Sequence, residues 1–225
     1  MKERQPLEGI KVLDFTRVLT GPFATMILGD MGAEIIKVEP PHGDESRSWP
    51  PTLDNGESGY FMALNRNKKS ITLNLKNPKA QEIASRLSQE ADIVIENFTP
   101  GVTKKLGIDY ETLKRGHPEL LYCSVSGFGQ YGPYKKKRAY DPIIQGMTGL
   151  MSITGDRDGP PAKVGIPITD LVAGLYAVIS LQSAYVSRLN DGKGQYIDVA
   201  LYDSMISLLT IVGMEYFATG KAPKR

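Results

Sequence analysis

The feature that most constrains this chain is a regular alternation of short β-rich runs with helical stretches. Ile10 to Phe15 is β-rich, Gly21-Pro22 opens a helical stretch to about Met31, and Glu34 to Val38 is a second strand ending in Glu39. From Pro40 to Gly59, Pro, Gly, Asp, Asn and Ser dominate, which predicts an excursion across the surface. Ser70 to Leu75 alternates as a strand, Pro78 to Glu90 has helical spacing, and Asp92 to Glu96 is a short buried strand. A helix from about Tyr110 to Arg115, a strand at Leu120 to Val125 and a glycine-rich loop at Gly127 to Gly132 repeat the pattern. Strands separated by helices pair in parallel through right-handed crossovers, so an α/β fold with a doubly wound, mostly parallel sheet is expected.

Beyond Arg138 the character changes. Asp141 to Met151 is predicted helical, Thr154 to Pro167 is a Gly/Pro loop, and Asp170 to Asn190 is a long apolar helix. Asp191 to Gly194 turns into a strand at Gln195 to Val199, and Ala200 to Ala218 is a last helix. One large unit over residues 1–220 is expected, with 221–225 as the start of a linker.

Composition narrows the function. Apolar residues at 41% and charged residues at 23% are globular values. Twenty-seven Lys and Arg against 25 Asp and Glu leave a net charge of +2, too little for non-specific nucleic-acid binding, so no nucleic-acid partner is expected and any anion site is local. Cys123, His42 and His117 are the only Cys and His residues, which excludes an internal disulfide framework and argues against a Cys/His zinc site; no metal is expected. Met1 to Leu13 lacks the apolar stretch of a secretory signal, so a cytoplasmic location is the expectation. Leu171 to Val186, interrupted by Ser180, Gln182 and Ser183, falls short of the roughly 20 residues of a membrane span and is read as a buried helix, with no membrane partner.

Several features carry chemistry. Glu39 follows Gly21 in the manner of a dinucleotide fold, but there is no G-x-G-x-x-G, only Thr20-Gly21-Pro22, whose amides could still meet a phosphate or carbonyl oxygen. Three basic clusters, Arg66 with Lys68 and Lys69, Lys104 with Lys105, and Lys135 to Arg138, are each either a solvated face or part of a ligand crevice. Asn97-Phe98 follows a strand, where either a buried turn or a ligand contact fits. Asp170 precedes a helix and lies between Gly165 and Gly174. It is either a cap for the first-turn amides or an ionised nucleophile or base with room for a substrate beside it. Serine hydrolase chemistry is disfavoured, since Ser124-Val125-Ser126-Gly127 is not G-x-S-x-G.

Read together, LEGIKVLDFTRVLTGPFATMILGDMGAEIIKVEPPHGD, LNRNKKSITLNLK, ENFTPG, YCSVSGFGQYGP, RAYDPIIQGMTGLMSITG and GIPITDLVAGLYA resemble the family III coenzyme A transferases, from Pro6 to about Gly220. The segments look most like the branch that moves CoA from succinyl-CoA to glutarate-like acids. The resemblance implies a nucleophile at Asp170. It implies CoA contacts at Leu19 and Thr20, at Leu73, Asn74, Leu75 and Lys76, at Asn97, Phe98 and Thr99, at Lys105, and at Arg138, Ala139, Tyr140 and Asp141. It also implies acyl-CoA and a small carboxylic acid as substrates, no permanently bound cofactor, and an interlocked homodimer. Pro40 stands where relatives have a basic residue on the adenine side, and Arg17 where they have histidine, so the adenine contacts and the acid specificity are the less secure part.

Two other readings follow from the same resemblance. The α-methylacyl-CoA racemases share the fold, but Tyr140 occupies the position of their proton-transfer histidine. Family members are longer, with a second small domain and a glycine-rich loop over the aspartate that this sequence lacks, so an inactive CoA-binding or pairing fragment is the other alternative.

Overall fold

A computed structural model describes residues 4–225. In chain order the elements are β1 (Lys11–Asp14), α1 (Thr20–Asp30), β2 (Glu34–Glu39), α2 (Gly59–Asn65), β3 (Lys68–Thr72), α3 (Pro78–Gln89), β4 (Ile93–Glu96), α4 (Val102–Lys105) and α5 (Tyr110–Leu113). There follow β5 (Leu121–Ser126), α6 (Asp141–Met147), α7 (Ile168–Asp191), β6 (Gln195–Ala200), α8 (Leu201–Leu208) and α9 (Thr210–Thr219). Short 3-10 turns lie at Glu45–Ser48 and Leu150–Ile153.

The six strands form one sheet in the order β3-β2-β1-β4-β5-β6, with every neighbouring pair parallel. The sheet is therefore wholly parallel, and the doubly wound expectation holds. Chain order reverses between β1 and β4, and in such sheets the crevice beyond the carboxyl ends of those two strands is where ligands bind. Both faces are covered, which is why β4 is apolar at three successive positions and buried throughout. Val12, Ile35, Ile95 and Cys123 pack on one side with Ala24 and Leu28 of α1 and Ala173, Ala177 and Leu181 of α7. On the other side, Leu13, Val94 and Tyr122 pack with Ala80 and Ala84 of α3 and Leu113 of α5.

Some elements differ from expectation. A helix, α2, follows the Pro40–Gly59 stretch because Ser58 caps it, its hydroxyl accepting from the Phe61 N–H at 3.2 Å. The predicted helix from Asp141 to Met151 is α6 followed by a 3-10 turn, and the one from Ala200 to Ala218 is α8 and α9, meeting at Leu209. α7 runs 24 residues, and by length and composition alone it could cross a membrane, contrary to the shorter run read from sequence. Here it packs against α1, β5, β6 and α8. Its outer side, with Leu175, Ile179, Val186 and Leu189, is exposed, as are Ile211, Met214 and Phe217 on α9.

Candidate active site

The site is built on the loop that joins β1 to α1. Asp14 closes β1 fully buried, and its carboxylate accepts from the Thr16 N–H at 2.8 Å, the Thr25 hydroxyl at 2.6 Å and the Lys68 ammonium at 3.3 Å. Burial opposes its charge, yet Lys68, Lys37 and the two threonine hydroxyls together hold the carboxyl below its ordinary range. Beyond it, three residues have their main chain held by side chains from other elements. Lys37 Nζ donates to the Thr16 carbonyl at 2.7 Å. Asn97 brackets Arg17, its Nδ2 donating to the carbonyl at 2.8 Å and its Oδ1 accepting from the N–H at 3.0 Å. The Asp44 carboxylate accepts from the Val18 N–H at 3.3 Å. Lys37 and Asp44 themselves pair at 2.9 Å with both side chains 1% exposed.

The loop is tight in consequence. Val18 has φ 68°, a left-handed conformation that a β-branched residue rarely adopts. A Cβ on Gly21 would lie 2.2 Å from Thr16 Cγ2, so only glycine lets Thr16 fold back over the start of α1. The helix is preceded by Leu19, whose side chain cannot cap, and its first-turn amides are left for another acceptor.

Asp170 lies in the first turn of α7, opposite that helix start. The Thr20 hydroxyl donates to Asp170 Oδ1. Gly174 follows one turn later on the same face, and a Cβ there would come within 2.9 Å of the Thr20 carbonyl and of Phe23. The glycine therefore admits α1, not a substrate, while Gly165 borders open space. Nor is Asp170 a cap, since α7 begins earlier, with Pro167 before Ile168 and no side-chain cap. The capping work falls to Asp141 of α6, whose Oδ1 accepts from the Thr169 N–H and hydroxyl, both at 3.0 Å, while Gln145 donates to its other oxygen at 2.7 Å.

Nor does Asp170 keep the ordinary pKa of an exposed aspartate. Burial pushes Asp170 up to about 6, against the Thr20 hydrogen bond and with a smaller push from Asp141. At pH 7 it is still about nine-tenths ionised. Tyr60 of α2 is pushed up to about 12, first by burial and then by the charges of Asp170 and Asp44.

A cavity of about 520 Å³ opens at the carboxyl ends of β1, β2 and β4. Thr16 and Arg17 line it from the loop, Val38 to Glu45 from the far end of β2, Leu73 to Lys76 from beyond β3, and Phe98 and Leu106 from beyond β4. One end of the β1–α1 loop thus lines a ligand-sized cavity, and the other end touches Asp170. The profile of CoA-transferase family III matches residues 7–225. The chain belongs to CoA-transferase family III.

A succinyl-CoA:glutarate CoA-transferase of Mus musculus is 46% identical over 222 residues, which are 98% of this chain and 51% of that protein. A succinate–glutarate CoA-transferase of Agrobacterium fabrum is 44% identical over 229 residues, 99% of this chain and 57% of the relative. The crystal structure of a CAIB/BAIF family protein from Brucella suis superposes with a TM-score of 0.96 at 46% identity, covering 99% of this chain and 60% of that one. The chain spans about half the length of the curated relatives it matches, 51% and 57% for the two transferases above.

In this family III chain, the residues expected to contact CoA are placed differently from one another. Leu73, Asn74, Leu75, Lys76 and Phe98 share the cavity, and Leu19 and Thr20 start α1. Asn97 has its side chain engaged by the Arg17 main chain, and the Thr99 carbonyl accepts from the Val102 N–H at 3.1 Å to begin α4. Lys105 is exposed next to cavity-lining Leu106. Arg138 and Tyr140 are exposed ahead of α6, outside the cavity lining, with Ala139 half-buried between them, and the Asp141 carboxylate is occupied by Thr169 and Gln145.

The basic clusters divide as well. Arg66 and Lys69 pair with Asp30 and Glu34 at the incoming end of β3, away from the cavity, whereas Lys68 reaches Asp14 and the Pro22 carbonyl beneath the β1–α1 loop. Glu39, the residue of the dinucleotide reading, is buried with Arg47 donating two bonds of 2.7 Å, and Ser70 and the Asp44 N–H add two more. These bonds outweigh burial and hold it near 2, so it has no free oxygen for a ribose. Lys37, Asp44 and Tyr60 escaped sequence reasoning. A lysine inside the run Glu34-Ile35-Ile36-Lys37-Val38 was the available signal, because a charge in a buried strand needs a partner.

Proposed function

We propose that the protein transfers coenzyme A from an acyl-CoA, succinyl-CoA or one like it, to a small dicarboxylic acid of the glutarate type, with Asp170 as nucleophile. The observation that carries this is the half-buried Asp170 carboxylate, held by the Thr20 hydroxyl against the uncapped start of α1, the helix that follows β1 at the switch point. The names of the transferases above support the substrate class.

An ionised Asp170 needs no general base. Its oxygen attacks the thioester carbonyl carbon; the C–S bond breaks, CoA leaves as thiolate, and an aspartyl–acyl anhydride remains. The thiolate attacks the aspartyl carbonyl carbon, the anhydride C–O bond breaks, and the donor acid departs as carboxylate, leaving an aspartyl-CoA thioester. The acceptor carboxylate then runs the two steps in reverse and frees Asp170. Thioester exchanges for thioester, so no energy source is consumed. The first-turn amides of α1 and the Thr20 hydroxyl are the donors available to the tetrahedral oxyanions, and the reaction requires that water be kept from the anhydride. The apolar walls from Leu73, Leu75, Phe98 and Leu106 suit the adenine end of CoA, and exposed Lys105 and Arg138 suit its phosphates. The exposed apolar sides of α7 and α9 support pairing with a second copy of the chain, as the family resemblance implies.

Incubation with succinyl-CoA followed by borohydride or hydroxylamine tests the reading. A modified peptide containing Asp170 is expected, and Asp170→Ala loses adduct and transfer by several orders of magnitude. An Asp170→Ala protein that transfers CoA at the parent rate refutes the mechanism.

A further inference from the structure

The Lys37–Asp44 pair has no role in the transfer chemistry just described. Burying two charges yields little net stability, and apolar side chains of similar size would cover the end of β2 at least as well. What this pair does that apolar residues cannot is hold main chain. Lys37 donates to the Thr16 carbonyl, and Asp44 accepts from the Val18 N–H while also accepting from the Ser46 N–H at 3.0 Å and hydroxyl at 2.8 Å. Asp44 is itself anchored through its own N–H to Glu39 at 3.0 Å. The residue between these two holds, Arg17, is bracketed by Asn97. Val18, the last of the three, is left-handed. A β-branched residue persists there only if its surroundings over-determine it. Two residues later comes Thr20, whose hydroxyl meets Asp170.

We propose that Lys37 and Asp44 are positioning residues of the transfer reaction: acting through the main chain of Thr16 and Val18, they fix the left-handed Val18 and so set the start of α1, with its amides and the Thr20 hydroxyl, against the Asp170 carboxylate. The inference rests on the Asp170 reading. It places the control of oxyanion geometry in a buried side-chain pair behind the cavity wall, acting through main chain and not at the reacting carbons. A misplacement near 1 Å in such a site costs on the order of a hundredfold in rate.

The test uses the intact protein and a variant that removes both charges together, Lys37→Met with Asp44→Asn, so that no lone charge is left buried. The expected result is a melting temperature within a few degrees of the parent, KM for acyl-CoA within about threefold, and kcat lower by about 30- to 100-fold, the scale of such a misplacement. Adding Val18→Gly to that variant should recover at least about tenfold in kcat, because glycine takes the left-handed conformation without side-chain strain. A purely structural pair gives no such rescue. Parent-like kcat in the folded double variant overturns the proposal, and so does a low kcat that Val18→Gly leaves unmoved. Should the double variant not fold, Lys37→Arg keeps the charge but shifts the donor, and parent-like kcat there overturns it equally. Asp170→Ala is assayed in parallel. If it remains active, the reading of Asp170 fails; if it is dead while the double variant runs at the parent rate, only the positioning role fails.

Discussion

Two stretches of the chain, one leading into the expected CoA contacts at Leu19 and Thr20 and the other into those at Arg138 to Asp141, are built in opposite ways. From Thr16 to Val18, side chains from β2, the loop after it and the end of β4 hold the main chain, and most of the surroundings are buried. From Lys135 to Tyr140 the chain is exposed at nearly every residue, and its local ties are a 2.8 Å bond from the Lys137 N–H to the Tyr134 carbonyl and the Lys137 ammonium 3.8 Å from the Tyr134 ring centre. The difference follows from what each must do. Reacting atoms need alignment to a fraction of an ångström before the reaction begins. A phosphate can be gathered by long cationic side chains that order only when it arrives.

Substitutions in the two stretches should therefore separate rate from affinity. The largest effect is expected at Gly174, where alanine would put a methyl 2.9 Å from the Thr20 carbonyl and push α1 off Asp170. Steady-state kinetics should show kcat down by about a hundredfold, and denaturant unfolding a loss of about 1 to 3 kcal/mol. A Gly174→Ala protein with parent kcat would mean that the rigid stretch does not govern rate. Arg138→Ala should do the reverse. Calorimetry should find CoA bound more weakly by about 1.5 to 3 kcal/mol, the value of one charge-assisted hydrogen bond, with kcat at saturation unchanged. If affinity holds, the exposed stretch is a solvated face.

A smaller effect concerns pH. Because Asp170 reacts as carboxylate and burial raises its pKa to about 6 in the free protein, kcat/KM should fall by half near pH 6 and by about tenfold at pH 5. The same shift has a sign for stability. Its folded-state value lies above the unfolded one, so its contribution favours folding at low pH and is lost as pH rises through about 6. Thermal melts should accordingly find Asp170→Asn more stable than the parent at pH 8, with the advantage vanishing towards pH 4. The smallest effect is expected at Lys135, exposed with no charged partner among the described residues. Lys135→Ala should change stability by less than about 0.5 kcal/mol.

Local pattern made the sheet legible. Each of the six strands overlaps an expected run, the central ones because a parallel sheet covered on both faces writes its burial directly into short apolar segments, while β3, polar and at the edge, lies earlier than the expected Ser70 to Leu75. α2 was not legible, since its cap, Ser58, sits at the end of a turn-rich stretch that reads as continuous loop. Asp170 stood out by residue type and place, but its cap-like position misled: the groups that satisfy the start of α7 come from Asp141, 28 residues earlier. The ties on Thr16 to Val18 left almost no mark. A bond from Asp44 to Val18 depends on how β2 and its loop pack, and no spacing rule records that.

The loop that positions Thr20 is held together by partners far along the chain. Arg17 meets Asn97 across 80 residues, Lys68 meets Asp14 across 54, and Thr20 meets Asp170 across 150. Contacts of such separation are costly to close and form after local structure has condensed. During refolding, the far-ultraviolet helical signal should therefore return before the chain can capture an acyl group, and a kinetic gap between the two would measure how long this crevice takes to assemble.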